Sequence, residues 1–269
     1  MPSASEKRDL FRALHVPGDP LMMPNPWDIG SAKVLVGLGA KALATTSAGH
    51  AFTIGKPDMG KVMADEAFAH AADIVAVTDL PVNADFENGY GVDPETAAAT
   101  VRRAAEIGLA GCSIEDTDME SDGPGAYAFD LTMERAKACV AAARESGIVL
   151  TLRADGYMNR AYDAEEAIRR CEAFAEIGAD VIYAPLMKPE MTKRLAKIGP
   201  PVNVLAVGKM ASHSVAELGA LGAARISVGS ALSRLTHKVI LEAGAAMLGG
   251  DLTPLMAAPK SDSVDYYLI

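Results

Sequence analysis

A chain of 269 residues, half of them apolar and only 5% aromatic, can bury a large core and fills it with aliphatic side chains, which suits helices on a parallel sheet better than an all-β sandwich. A formal net charge of −10 makes nucleic acid an unsuitable partner, because a phosphate backbone needs a basic face. No apolar run reaches the ~18 residues that span a bilayer, and MPSASEKRDLFRAL at the N-terminus has no secretory core, so a cytoplasmic protein with no membrane partner is expected.

The predicted elements alternate along the chain. Strands are expected near 20–24, 42–46, 80–85, 111–115, 149–153, 180–184, 202–206 and 224–227. Amphipathic helices are expected over 28–38, 60–74, 94–107, 130–146, 163–177, 189–198, 212–220 and 229–247. One phrase recurs at the joints: VGLGAKALATTS, AEIGLAGCSIED, AEIGADVIYAPL and LGALGAARISVG. In each, a glycine (Gly39, Gly108, Gly178, Gly222) fits a left-handed C-cap that stops a helix before a strand. The first three lie about 70 residues apart, near twice the length of one strand–helix unit. Asp93-Pro94 and Asp163, followed by Glu165 and Glu166, read as helix starts.

Eight such units predict an α/β fold of the (β/α)8 TIM type, as one domain over residues 1–269 with a helical extension from about 229. An open doubly wound sheet is the alternative, weakened because no G-x-G-x-x-G follows the first strand. The tail after residue 247 ends in an apolar cluster that packs either on its own barrel or on a neighbour. The odd set Cys112, Cys139 and Cys171 matches no zinc spacing and reads as buried thiols.

Active sites of such barrels form where the strands end. The polar strand ends here include Asn25, Thr45–Ser47 with His50, Asp85 with Glu87, Glu115 with Asp116, Arg153 with Asp155, Tyr183, and Ser227 with Ser230. The richest is PVNADFENGYG, residues 81–91. Asp85 and Glu87, two apart on an extended strand, point the same way, and paired carboxylates are costly to desolvate without a cation between them. A solvated turn is the plain alternative for that segment alone. Hard carboxylates without a His or Cys cluster favour Mg²⁺, or Mn²⁺. Arg153 is a natural fork for a substrate carboxylate. The small residues at 46–49 let backbone N–H groups approach an anionic oxygen.

On the stretches MPNPWDIGSAKVLVGLGAKALATTSAG, ADFENGYG, SIEDTD, LRADGY and RISVGSAL, the chain resembles the phosphoenolpyruvate (PEP) mutase/isocitrate lyase superfamily over nearly its whole length. In that family a D-x-D-T-G-Y-G-like segment binds Mg²⁺, and DFENGYG stands in its place. The resemblance implies Asp85 as the main metal ligand, Glu87 and Glu115 as holders of metal-bound waters, and Asp58 in GKPD as a further acid of the shell. The implied catalytic set is Asp58, Glu87, Glu115 and Arg153. Thr46, Ser47 and Ala48 with Arg153 form the implied substrate cradle. The family fold further implies a barrel whose last helix is exchanged between subunits of a homo-oligomer, usually a dimer of dimers.

Departures narrow the chemistry. Family lyases that split isocitrate or methylisocitrate carry a K-K/R-C-G-H loop after the fourth strand; EDTDMESDGPGAYAFD has no Cys, Lys or His there. The Lys and Thr/Asn residues with which phosphonate-forming mutases and the related hydrolase handle a phosphoryl group are missing too. Glu87 replaces the usual Asp, and Pro185 follows the sixth strand where mutases carry a His. What remains is a Mg²⁺-dependent lyase for a small anionic 2-oxo or 2-hydroxy dicarboxylate, working through a pyruvate enolate, with oxaloacetate decarboxylation as the simplest case. A phosphonomutase or C–P hydrolase is one alternative; a barrel that binds an acid without turnover is another. A Schiff-base aldolase on Lys188 or Lys209 is a third. Tyr90, His50 and Tyr157 are candidate proton donors, whereas His213 and His237 read as packing or surface residues.

Overall fold

The computed structural model describes residues 2–120 and 125–268. Among them run short parallel strands β1 (Leu21–Met22), β2 (Leu43–Ala44), β3 (Val82–Asp85), β4 (Gly111–Glu115), β5 (Val149–Arg153), β6 (Val181–Tyr183), β7 (Asn203–Leu205) and β8 (Arg225–Ser227). They form two arcs, β2-β3-β4-β5-β6 and β1-β8-β7. The arcs meet through a bridge between Ile182 and Val202, and through the Ala44 N–H donating to the Pro24 carbonyl at 3.0 Å. The protein therefore has a parallel α/β fold of the TIM type, with every strand within the expected ranges.

The helices are α1 (Ala4–Ala13), α2 (Ile29–Gly37), α3 (Ser47–Thr53), α4 (Ala64–Ala76), α5 (Pro94–Glu106), α6 (Phe129–Ser146), α7 (Ala164–Ile177), α8 (Pro189–Leu195), α9 (Val215–Ala220), α10 (Ala231–Leu248) and α11 (Ser261–Leu268). Local chemistry sets their ends. Asp93 and Asp163 cap α5 and α7 with their side chains, and Gly39, Gly108, Gly178 and Gly222 all take positive φ, between 87° and 98°. Two starts fall later than the sequence pattern indicates. α4 begins at Ala64, not 60, because Met59 and Gly60 are left-handed and Glu66 caps the Met63 N–H. α9 begins after its Ser214 cap, because 208–212 is a 3-10 turn.

Two apolar layers position the site. The larger lies between strands and helices and holds Cys112, Cys139 and Cys171, all buried and unpaired. The smaller fills the N-terminal ends of the strands, where Phe11 of α1 packs on Leu21, Met23, Ala44, Val149 and Val181. Gly111 is required there, since a Cβ would lie 2.6 Å from the Phe11 ring. Outside these layers, α10 and the segment after it expose Leu235, Val239, Ile240, Leu241, Leu248 and Met256. α11 lies on its own α2, with Tyr267 against Gly37 and the Lys33 Nζ donating to the Leu268 carbonyl at 2.6 Å. No helix among the described residues is long and apolar enough to cross a membrane.

Candidate active site

A cavity of about 270 Å³ opens where the strands end. Thr46, Ser47, Ala48, Asp58, Asp85 and Arg153 all line it. Glu87 borders a small adjoining space with Ser47, Asp85 and Tyr90. Glu115 stands behind Arg153 rather than in the cavity wall.

Arg153, the last residue of β5, ties the acids together. Its Nη1 donates to Asp85 at 2.9 Å, and its Nη2 lies 2.9 Å from Glu115. The planar fork is taken by Asp155, with Nε donating to Oδ1 at 3.0 Å and Nη2 to Oδ2 at 2.5 Å. So the bidentate face of Arg153, expected for a substrate carboxylate, is engaged by the protein, and only its remaining Nη1 proton is left for a ligand. Burial alone would lower the Arg153 pKa, but Asp155, Glu115 and Asp85 together raise it well above its ordinary value. Burial pushes the Glu115 and Asp155 carboxyls above the usual range despite the guanidinium beside them. Asp155 is itself held in place: Asp116 accepts from its N–H at 2.8 Å, from the Tyr162 hydroxyl at 2.7 Å and from Arg170 at 2.8 Å.

Asp85 ends β3 with its other oxygen accepting from the Ser47 hydroxyl at 2.9 Å and the Ser47 N–H at 3.3 Å. The first turn of α3, the expected cradle, thus faces the acid cluster; Thr46 caps that helix through the Gly49 N–H. Strand alternation does not bring Glu87 to Asp85. β3 stops at Asp85, and Glu87 lies in the left-handed region at φ 47°. Its carboxylate turns back to accept from the Gly60 N–H at 2.9 Å. Met59 and Tyr90 share the left-handed backbone, which concentrates strain around the acids. The turn is held from outside by Arg135 of α6, which donates to the carbonyls of Asn88, Gly91 and Val92. Burial raises Glu87 to about 7 and lifts Asp58 as well.

The donor set fits a divalent ion in one respect: Asp58, Asp85, Glu87, Glu115 and Asp155 share a single guanidinium, so the carboxyls outnumber the cations and burial disfavours the charged forms of most of them until another cation is near. Among the described residues no three acids stand close enough to ligate one ion directly. That suits Mg²⁺, which keeps waters and needs one or two carboxylates.

Several expectations change. Tyr90, His50 and Tyr157 do not line the larger cavity, while Tyr183 does; Tyr90 and His50 instead border the small adjoining space beside Asp85 and Glu87. Tyr90 packs on Phe68 and Phe86, and His50 stacks on His70 with ring centroids 3.9 Å apart. Lys188 and Lys209 are exposed and away from the cavity, so neither has the dry pocket that a Schiff-base lysine needs.

Residues 11–248 match the family model for phosphoenolpyruvate phosphomutase. The chain belongs to this family. Within the PEP mutase/isocitrate lyase superfamily it is an enzyme of the carbon–carbon lyase and mutase type. A solved structure from Burkholderia cenocepacia J2315, described as a lyase/mutase, is 40% identical, with a TM-score of 0.92 over 98% of this chain and 96% of that one. An uncharacterized protein of Mycobacterium tuberculosis is 32% identical over 82% of this chain and 81% of its own. An oxaloacetate decarboxylase of Paraburkholderia xenovorans is 27% identical over 84% of this chain and 75% of its own. Members of the superfamily are generally divalent-metal dependent. In this family member, the loop after β4 runs through Asp116, Thr117 and Asp118 to Met119, which packs on Gly60; residues 121–124 of that loop lie outside the described residues.

Proposed function

We propose that this protein is a Mg²⁺-dependent lyase acting on a small 2-oxo or 2-hydroxy dicarboxylate through a pyruvate enolate, in the manner of an oxaloacetate decarboxylase. The observation that carries the reading is Arg153 within 2.9 Å of both Asp85 and Glu115 at the wall of a cavity sized for a small acid. Asp85 would hold the ion, with Asp58, Glu87 and Glu115 around its waters. A divalent ion held there would supply Lewis acidity that stabilises the enolate. The first turn of α3, at Thr46–Ala48, would orient the 2-oxo carboxylate through the Thr46 and Ala48 N–H groups, the Ser47 N–H being taken by Asp85. Arg153 offsets the negative charge that grows on the substrate. With oxaloacetate, the C3–C4 bond breaks, its electron pair enters the enolate, CO₂ leaves, and C3 takes a proton. Tyr183, which burial keeps protonated, and Ser227 offer hydroxyls in the cavity for that proton.

A phosphonomutase or C–P hydrolase is the second reading, favoured by the family model and by a 31% identical structure from Burkholderia cenocepacia described as a phosphonomutase. Asp116, Asp118 and Glu120 in the loop give a phosphoryl anion no positive partner. The lyase reading takes the two arcs of strands as one complete eight-stranded barrel in a single domain, in a cytoplasmic enzyme. It assigns the exposed apolar face of α10 to a homo-oligomer, a dimer of dimers in which α10, and not α11, is exchanged between subunits.

The test is a screen of 2-oxo and 2-hydroxy acids with and without Mg²⁺, run beside Asp85→Ala. Turnover that depends on Mg²⁺ and on Asp85 is expected. Turnover indifferent to chelator and to the substitution overturns the mechanism, and oxalate binding without turnover of any acid turns the protein into a binder.

A further inference from the structure

A second arginine stands at the opposite end of the cavity. Arg225 opens β8, is 2% exposed, and lines the same cavity as Asp85 and Arg153. Its Nε donates to Asn203 Oδ1 at 2.8 Å, and its Nη1 lies 3.4 Å from His15 Nε2. The other nitrogen of that imidazole, Nδ1, is 2.7 Å from the Phe11 carbonyl. A carbonyl only accepts, so Nδ1 carries the proton and Nε2 offers its lone pair to Arg225. Burial, together with Arg225, holds His15 down to about 3, so it stays neutral.

Both partners of Arg225 are therefore uncharged acceptors, and among the described residues no carboxylate pairs with it. Its Nη2 makes no hydrogen bond to any of them. Burial pulls the guanidinium down to about 9, with Arg153 adding repulsion against the help of Tyr183. A buried cation without a counter-charge is costly, and a link to Asn203 needs only a neutral donor. Asn83, 3% exposed, lines the same cavity with a buried Oδ1 that has no partner, an acceptor suited to a ligand hydroxyl and not to its carboxylate. The deep end of the cavity is thus polar and carries excess positive charge, the reverse of its mouth.

We propose that Arg225 is a specificity-determining residue, taking the second carboxylate of a dicarboxylate substrate at the cavity floor. This rests on the proposed reading of the mouth, where Thr46–Ala48 and Arg153 hold the 2-oxo or 2-hydroxy acid end. The incoming carboxylate supplies the counter-charge that the fold withholds, so a monocarboxylate of the same shape loses that interaction.

The test is calorimetric titration, in buffer with Mg²⁺, of lactate and malate, which differ by one carboxylate. Oxalate serves as a separate probe of the mouth. The wild-type protein is expected to prefer malate over lactate. Arg225→Met should weaken malate by roughly 30-fold or more and leave lactate and oxalate within about threefold. Asn203→Asp places a carboxylate on the Nε of Arg225 without removing the cation. It should likewise weaken malate by about tenfold while raising the melting temperature, and it decides the matter if Arg225→Met does not fold. Equal weakening of malate and lactate, or an unchanged malate affinity in Asn203→Asp, overturns the proposal. Oxalate binding without preference for malate overturns it alone. A wild-type protein that binds none of these acids overturns the reading of the mouth together with it.

Discussion

At the mouth of the cavity one guanidinium, Arg153, is shared by Asp85, Glu115 and Asp155. At the floor another, Arg225, has only Asn203 and a neutral His15. Arg225 is buried and Arg153 largely so, yet the acids around Arg153 raise its pKa while burial lowers that of Arg225. The difference teaches what each end lacks. Burial is tolerable for a charge only when something opposite is close. An acid excess at the mouth is relieved by a cation; a lone guanidinium at the floor is relieved by an anion.

The contrast breaks most severely at Arg153. Arg153→Met leaves Glu115 and Asp155 buried without a partner and should cost about 3–5 kcal/mol of stability in urea denaturation, with turnover lost. A change below about 1 kcal/mol would mean that the acids are held by something else. Asp85→Ala separates charge from scaffold. It takes away one member of an acid surplus, so stability should move by no more than about 1 kcal/mol. Turnover of a 2-oxo acid should nonetheless fall by roughly 10³-fold, and its response to Mg²⁺ should vanish. A stability loss of several kcal/mol, with the Mg²⁺ response of the remaining turnover intact, would reverse that assignment.

The floor is tested most gently through His15. Its folded pKa, about 3, lies below the unfolded value of 6.5. The stability it contributes is therefore present above pH 6.5 and lost as the pH falls toward 3. Between pH 7 and pH 5 that loss is about 2 kcal/mol. His15→Gln should flatten this part of the stability–pH curve by that amount, measured by denaturant midpoints at the two pH values. An unchanged slope would mean that the imidazole is not held neutral against Arg225.

The alternation of strands and helices was legible because it is written in local periodicity, and the caps because Asp93, Asp163 and the glycines at 39, 108, 178 and 222 act on their own neighbours. Asp85 and Arg153 were legible as cavity residues because parallel strands deliver their last residues to one face, whereas Asp58, in the loop between α3 and α4, was marked only by the family resemblance. Other features were not. Alternation would have carried Glu87 to Asp85, but the strand ends first and a left-handed turn does the work, pinned by Arg135 from a distant helix. α3 was hidden because a seven-residue helix capped by Thr46 shows little periodicity. The capture of the Arg153 fork by Asp155 was invisible because nothing in LRAD states which way a guanidinium turns.

By itself the order of residues determined the fold class, the ends of most helices and which acids gather at the strand ends, since each depends on spacing within a few turns of chain. Only the tertiary structure decided how the charges are shared. Arg225 meets His15 and Asn203, and Asp116 meets Arg170, across separations that no local pattern encodes. The energy of a buried charge depends on which partners arrive in space, not on which residues stand beside it in the chain.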